Sequence, residues 1–591
     1  MLFTIPIQSA SMQLVTNLLW LAQFCVFTLV LTSRATAQVI PDTSLPIPSR
    51  SKLNGTIFLI DQGTNVGNNL FHSFEQFSVP TSATVQFNNS PTIQNIVSRV
   101  TGTSVSNIDG LIRANGTSNL FLLNPNGIIF GPNAALQVGG SVLFSTADRL
   151  HFEDGTQLST SRTQSPPLLT VSTPVGVEFN GNPGPIQVQN SGHNLATPNL
   201  IFFPLSNQSQ PPGLQVVPGQ TLALVGGDLI FTGGIVAASG GRIELGSVDS
   251  GFVQLNPINT GWSLNYEDVA AFRTVQLDQT SLVNASGLGT GSIQIYGADV
   301  AFHDGSVALI QTQGFQPGGP ININATETLR VSGTSADGTI PSSVVNETVN
   351  LGGSGDIVMT ANQLIVENGG AIAARTFTPA PGGNIVVTAD QSLAVLGFSP
   401  LNPFVFSVIA TETAGTGPAG DLILTTPLLT VQDGGNIGTA TLSTGKGGDL
   451  NLTADVINLS GVAPTTIRST VFANTGSEGD GGAVTINTSQ LSVTDGAVIS
   501  SSTTASGDAG AVTINATEFV EVSGEIPSLP FTVSTVFSAA VAETPFFQAF
   551  FQLPEVATGR AGAVTINTKN LFVRNGGRIA TTNSGPATRG N

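Results

Sequence analysis

Side chains able to do acid–base or metal chemistry are few and scattered along this 591-residue chain. The four histidines, His72, His151, His193 and His303, show none of the short spacings that bring ligands to one ion. They read as surface or turn residues, and neither a metal nor a cofactor is expected. A β-structured enzyme acting on polysaccharide would need clustered carboxylates with Arg or Lys on one face. Here Asp and Glu sit mostly in turn sequences, where Asp is favoured for backbone reasons. Gly353-Ser354-Gly355-Asp356 has the look of a calcium loop but lacks a tandem nine-residue register. Glycines punctuate β-type runs rather than open helices, so no phosphate-binding loop is present. The expectation is a protein that is not an enzyme. A stacked Asp/Glu and Arg/Lys cluster would favour the rival reading.

The elements that would position any site are short strands. Charged residues make up only 9% of the chain and Gly accounts for 68 positions, with much Val, Ile, Thr and Asn between them. That composition favours strands with many turns, and long 3.6-residue periodicities are absent. The net charge of −18 leaves no basic stripe to neutralise phosphates, which argues against a nucleic-acid partner. Residues 18–31 form an apolar run broken by Gln23, and Ala35-Thr36-Ala37 follows as a small-x-small pattern. This predicts a signal peptide over residues 1–37 cleaved between Ala37 and Gln38, although no basic side chain precedes Arg34. The single cysteine, Cys25, would leave with it, so no disulfide framework is expected. Residues 38–52 read as a Pro-rich leader, and strands begin near Leu53.

From Gly291 the chain repeats. Glycine-led strands start at Gly291, Gly319, Gly355, Gly383, Gly420, Gly448, Gly482, Gly510 and Gly562, with spacings of 28, 36, 28, 37, 28, 34, 28 and 52. Two unit types alternate. The first carries an Asp-Gly or Asn-Gly turn, as at Asp304-Gly305 and Asn368-Gly369. The second ends a strand in Gly, at Gly333, Gly397, Gly461 and Gly524, and then inserts a loop of variable length. The largest such loop holds Phe546, Phe547, Phe550 and Phe551, an aromatic contact site or a loop packed on the frame. No unit can bury its own core, so neighbours must stack. The fold class expected is all-β, a parallel β-helix with stacked three-strand coils, Val, Ile and Leu inward, and Thr, Asn and Asp facing solvent. Gly590-Asn591 falls 28 residues after Gly562, where another coil would open, so the repeats over 291–591 read as truncated at the C-terminal end.

The stretch from Asn119 to Gly140 organises the N-terminal half. Apolar runs at 120–123 and 128–130 flank the turn Asn124-Pro125-Asn126-Gly127. Pro125 presets φ for a turn's second position, and Gly127 tolerates positive φ. Both runs hardly alternate, which predicts burial on both faces.

FLLNPNGIIFG at 121–131 resembles the NPNGI signature of the filamentous haemagglutinin amino-terminal domain, the secretion domain of two-partner secretion exoproteins. NNLFHSFEQFSVP at 68–80, VSRVTG at 97–102 and IDGLIRANG at 108–116 fit the same family, and GGRIELGSV at 240–248 looks like the segment found downstream in its large exoproteins. The family's second motif, NPNL, is absent upstream. The resemblance implies a secretion domain over 53–250, with 251–290 as a transition to the repeats. It further implies a right-handed β-helix, passage through the general secretory machinery, and an outer-membrane β-barrel transporter with periplasmic recognition domains. Asn124, Pro125, Asn126, Gly127 and Ile128 would carry recognition, with His72, Phe74 and Phe77 as further candidates. The product would be secreted or held at the outer surface. An adhesin with a cell-surface or polysaccharide ligand is the leading reading. A polysaccharide-acting enzyme and the carrier stalk of a toxin are the alternatives.

Overall fold

The structure, a computed structural model, describes residues 39–583 apart from 163–166, 199–202, 208, 527–528, 530–531, 543–547 and 549–552. The elements with described bounds are all strands. From Asn69–Phe77 to Val564–Arg574 they wind in successive coils, each paired in parallel with the coil before it. The chain is a parallel β-helix. Ile321, Ile357, Ile385, Leu422, Leu450 and Val484 lie directly above one another and are fully buried, so the inward aliphatic ladder forms as patterned. In the repeats the first two faces of a coil are one bent strand, such as Ile321–Ser332, and the third face is a short strand, such as Ser343–Thr348. The bend lies where the pairing register slips, between Ala325 and Thr328. Small residues, Ala325, Ala361 and Ala389, fill the inside of that corner.

The Asp-Gly and Asn-Gly turns place both residues at positive φ, for instance 52° at Asp433 and 96° at Gly434. Asp and Asn tolerate this region better than most side chains. The glycines that lead each coil have a different reason. Their φ is ordinary, but a Cβ on Gly448 would lie 1.8 Å from the carbonyl oxygen of Gly420, and one on Gly482 would lie 1.8 Å from that of Gly448. Successive coils approach so closely at this corner that no side chain fits. The residue after the glycine ties coils together. Asn384 N–H donates to Asp356, Asp421 N–H to Asn384 and Asp449 N–H to Asp421, each at 2.8 Å. Asp356 thus serves as a rung tie in the stretch with the look of a calcium loop.

Threonine departs from the expected pattern. Thr376, Thr413, Thr441 and Thr475 stack in register inside the helix and are buried. Each hydroxyl donates to a carbonyl four residues on, as from Thr413 to Gly417 at 2.6 Å and from Thr475 to Gly479 at 2.6 Å. They sit at the turn closing the coil, where a carbonyl pointing inward would otherwise lack a donor.

The N-terminal half has a second apolar layer. Arg149–Phe152, Gln157–Ser159 and Pro174–Asn180, together with Trp262–Asn265, Val269–Phe272 and the latter part of Arg242–Pro257, form antiparallel pairs outside the helix. They cover Phe71, Val97, Phe121, Leu143 and Ala223, which point away from the helix core. This explains why residues 120–123 do not alternate: Leu120 and Leu122 face the helix core, and Phe121 and Leu123 face the outer layer. Residues 39–54 differ from the expected leader. Val39–Pro41 pairs antiparallel with Asn69–Phe77, and Ser49–Asn54 with Ile57–Gln62, closing the first coil. A buried network fixes this cap: Ser73 donates to Asp42 at 2.7 Å, and Arg99 donates to Ser73 at 3.0 Å and to Ser44 at 2.8 Å.

The glycine corner yields a prediction. Gly448→Ala should destabilise the helix by about 3 kcal/mol, because the new methyl group must push two backbones apart. Gly397→Ala, at φ 65° with nothing within 4 Å, should cost only about 1 kcal/mol for the backbone conformation. Urea-unfolding midpoints of the two variants check this; equal losses would refute it.

Candidate functional site

The turn at Asn124–Gly127 is a corner between the strands Asn119–Leu123 and Ile128–Phe130. Gly127 N–H closes it on the carbonyl of Asn124 at 3.1 Å, and Gly127 has φ 123°. Asn124 is fully buried. Its side-chain amide donates to the Ser104 carbonyl at 3.0 Å and to Ser106 Oγ at 2.9 Å, while its Oδ1 accepts from Asn126 N–H at 3.1 Å and from Asn126 Nδ2 at 2.8 Å. Asn126 Nδ2 also donates to the Gly102 carbonyl at 2.9 Å. On the other side, Gly184 N–H donates to the Pro125 carbonyl at 2.8 Å and Ile128 N–H to that of Pro185 at 3.0 Å. A Cβ on Gly127 would lie 3.0 Å from the Pro185 carbonyl oxygen. The two asparagines therefore bond back to the preceding coil, and Pro125 and Ile128 bond forward to the next. The turn clamps three coils, with its polar groups used internally.

His72, Phe74 and Phe77 lie on the strand Asn69–Phe77 and are all buried. Phe74 and Phe77 point into the helix core, with ring centres 5.1 Å apart, and Phe77 stacks on Phe87 at 6.3 Å. His72 departs from the surface reading. Its Nδ1 meets Ser49 Oγ at 2.8 Å, its ring packs on Phe87 at 5.3 Å, and its Nε2 has no hydrogen-bond partner. Burial pushes its pKa down to about 3. His193 is also buried, against the Gly305 carbonyl at 2.8 Å. His151 is half-buried and reaches Glu178 at 2.7 Å. Asn124–Ile128 and His72–Phe77 are separate segments of the helix wall. Ala37 and Gln38, Cys25, Phe546, Phe547, Phe550 and Phe551, and the terminal Gly590-Asn591 lie outside the described residues.

Sequence reasoning missed a charged row on the outer face of the third sheet. Gln311, Glu347, Arg375 and Glu412 are in direct register on four successive strands. Arg375 pairs with Glu347 at 2.6 Å. Glu347 is fully buried, taking hydrogen bonds from Gln311 at 2.8 Å and from Leu205 N–H at 3.2 Å. Burial pushes the Glu412 carboxyl up from its usual range; Arg375 works against this and Glu347 adds to it. The signal was available. The intervals 347 to 375 and 375 to 412 are 28 and 37 residues, the same coil lengths that separate Gly355, Gly383 and Gly420.

A wound parallel helix, a double-layered N-terminal part and a capped first coil define the class. Residues 37–295 match the model of the TPS secretion domain family. The match takes in the residues expected as leader and as transition. The match supports a two-partner-secreted exoprotein and implies a cognate outer-membrane transporter. Among solved structures, the chain is similar to the HMW1 secretion domain from Haemophilus influenzae, at 16% identity over 90% of this chain and 96% of that one, with a TM-score of 0.31. It is also similar to the filamentous hemagglutinin secretion domain, at 14% identity over 65% of this chain and 96% of that one, with a TM-score of 0.26. No curated protein matches the chain.

The buried imidazole makes stability depend on pH. His72 holds no proton in the folded chain until about pH 3, whereas the unfolded chain takes one up near 6.5. Stability is therefore complete above pH 6.5 and is lost as pH falls toward 3. Between pH 7 and 5 this residue should remove about 2 kcal/mol. His72→Gln should show a correspondingly smaller drop in urea midpoint over that range. Identical drops in both proteins would refute the assignment.

Proposed function

We propose that this exoprotein is an adhesin-like attachment protein whose repeats form a stalk and present a surface to a cell or polysaccharide ligand. The supporting observation is the uninterrupted parallel pairing from the secretion domain into the repeats, with variable loops gathered on one corner. In this reading residues 1–37 are a signal peptide, cut between Ala37 and Gln38, that leads into the general secretory machinery. Residues 53–250 hold the segments read by the transporter, 251–290 join them to the repeats, and 291–591 are the stalk.

Recognition in this proposal acts on the unfolded chain. Folded, the candidate residues Asn124–Gly127 and Ile128 are tied between coils, and His72, Phe74 and Phe77 are buried. The strand Asn69–Phe77 already has neighbours on both sides, including Asn95–Val100. Unfolded, the same strand-forming segments can add to a sheet edge of the transporter's periplasmic domains.

One observation bears on the rival enzyme reading. Glu347, Arg375 and Glu412 are a stacked acidic and basic cluster on one face. Against that reading, Glu347 is sealed and paired to Arg375, which leaves Glu412 without a second accessible carboxylate from this row for acid–base work.

Asn126→Ala removes two side-chain hydrogen bonds and should cost about 2 kcal/mol of stability. Export should fall sharply while refolding in vitro is retained. Loss of both would leave only a structural turn. Export should also stop when the cognate transporter is deleted, and undiminished export without it would refute the secretion reading. Attachment of cells to polysaccharide-coated surfaces, with and without the exoprotein, tests the adhesin part.

A further inference from the structure

The outer layer of the N-terminal half hides a carboxyl group that is only partly matched. Glu244 lies on the strand Arg242–Pro257, between Ile243 and Leu245, which point into the helix core. Its side chain therefore points outward, yet it is fully buried. Its neighbours in register are Ala223 on the preceding coil and Gln294 on the next. What covers it is the return arm of a hairpin, Trp262–Asn265 and Val269–Phe272, paired antiparallel with the latter part of Arg242–Pro257. Leu264 N–H donates to Glu244 Oε1 at 3.3 Å, and Gln294 Nε2 donates to the Leu264 carbonyl at 3.0 Å. The Tyr266 ring lies on Gly246, where a Cβ would meet its hydroxyl at 2.5 Å. Tyr266 in turn stacks on Tyr296, with ring centres 4.4 Å apart.

Three buried polar atoms of this cluster lack a hydrogen-bond partner among the described residues: Glu244 Oε2, Arg242 Nε and Tyr266 Oη. Arg242 Nη1 reaches Glu244 Oε1 at 3.2 Å, from a side chain that is a quarter exposed. The other titratable groups here are Tyr296 on the next coil, and Tyr266 and Glu267 on the return arm. The preceding coil, Thr221–Gly226, brings none. An ionised Glu244 would thus hold one oxygen bare in an apolar layer. Burial pushes its carboxyl up to about 8, against the pull of Arg242 and of Leu264 N–H. Burial and then the Glu244 charge hold both tyrosines above their ordinary range. The part able to yield is the return arm. The strand under Glu244 is held in parallel on both sides, whereas the arm pairs on one side only among the described residues.

We infer that Glu244 is a pH-dependent latch on the outer layer: with its carboxyl protonated the arm 262–272 lies closed on the helix wall, and with it ionised the arm lifts and admits water. Trp262 on that arm rests on Phe121, with ring centres 4.8 Å apart. Lifting therefore uncovers the strand Asn119–Leu123, which leads into the Asn124–Gly127 turn. The direction of the pH dependence follows from the two states. Open to water, the carboxyl ionises near its ordinary 4.5; under the closed arm it keeps its proton to about 8. Between those values the open form has lost a proton that the closed form retains. Opening thus becomes easier as pH rises, and the gain ends above pH 8.

The test follows hydrogen–deuterium exchange of backbone amides in the full chain by mass spectrometry. Glu244→Gln, an uncharged isostere of the protonated acid, is the reference at each pH, which cancels the pH dependence of the exchange chemistry. The ratio of native to variant rates over 262–272 should rise about fiftyfold from pH 6 to pH 8 and level off above pH 9. Over the repeat strand Ile357–Glu367 the ratio should stay constant. Within the native chain alone, exchange over 262–272 should gain the same factor relative to Ile357–Glu367, so the result stands even if the variant does not fold. Arg242→Gln, which removes the neighbouring cation, should carry the rise to higher pH. A flat ratio over 262–272, an equal rise in both segments, or a rise that Arg242→Gln leaves in place would each overturn the inference.

Discussion

Everything in this protein depends on how closely one coil may approach the next. At the glycine corner the backbone of each coil sits against the carbonyl oxygen of its predecessor, with less than a methyl group's room between them. That contact fixes the register of the whole turn. Once it is set, Ile321 must lie over Ile357, the threonine hydroxyls must meet their carbonyls, and the Asp-Gly turns must fall at one corner. Variation is then confined to places outside the wound frame. The inserted loops after Gly333, Gly397 and Gly461 differ in length, yet the coils beneath them stay in step.

The sequence made this frame legible because it repeats. Spacing marked the coils, the glycine corner, the Asp-Gly turns and the corner that takes insertions. Legibility failed where contacts ignore the period. Asn69 bonds to carbonyls at Thr170 and Ser172, about a hundred residues away, and nothing local announces it. The outer layer over Phe71, Phe121 and Leu143 is of the same kind. The inward threonines were misread for a different reason: polarity by residue type suggests solvent, but a hydroxyl with a carbonyl four residues on is satisfied inside. The leader was misread because proline content hid two strands whose partners lie later in the chain.

The Asn124–Gly127 motif was legible as a turn, and the structure gives the reason for each residue type. Two asparagines are needed because each bonds in two directions, and glycine is needed for its φ and for the approach of Pro185. These demands are met within the fold. The side-chain amides of the motif are therefore spent within the fold once the helix is wound. The charged row at Glu347, Arg375 and Glu412 is the opposite case. It has no motif, and it emerges only when coil lengths are used as a ruler.

The Asp and Asn ties between coils also give the molecule a direction. Each of these carboxylates or amides belongs to the earlier coil and accepts an N–H from the later one. Each coil therefore offers its acceptors toward the C-terminal side. The ties are thus polar along the helix axis, with acceptors on each coil facing the C-terminal side and the donors that meet them facing the N-terminal side.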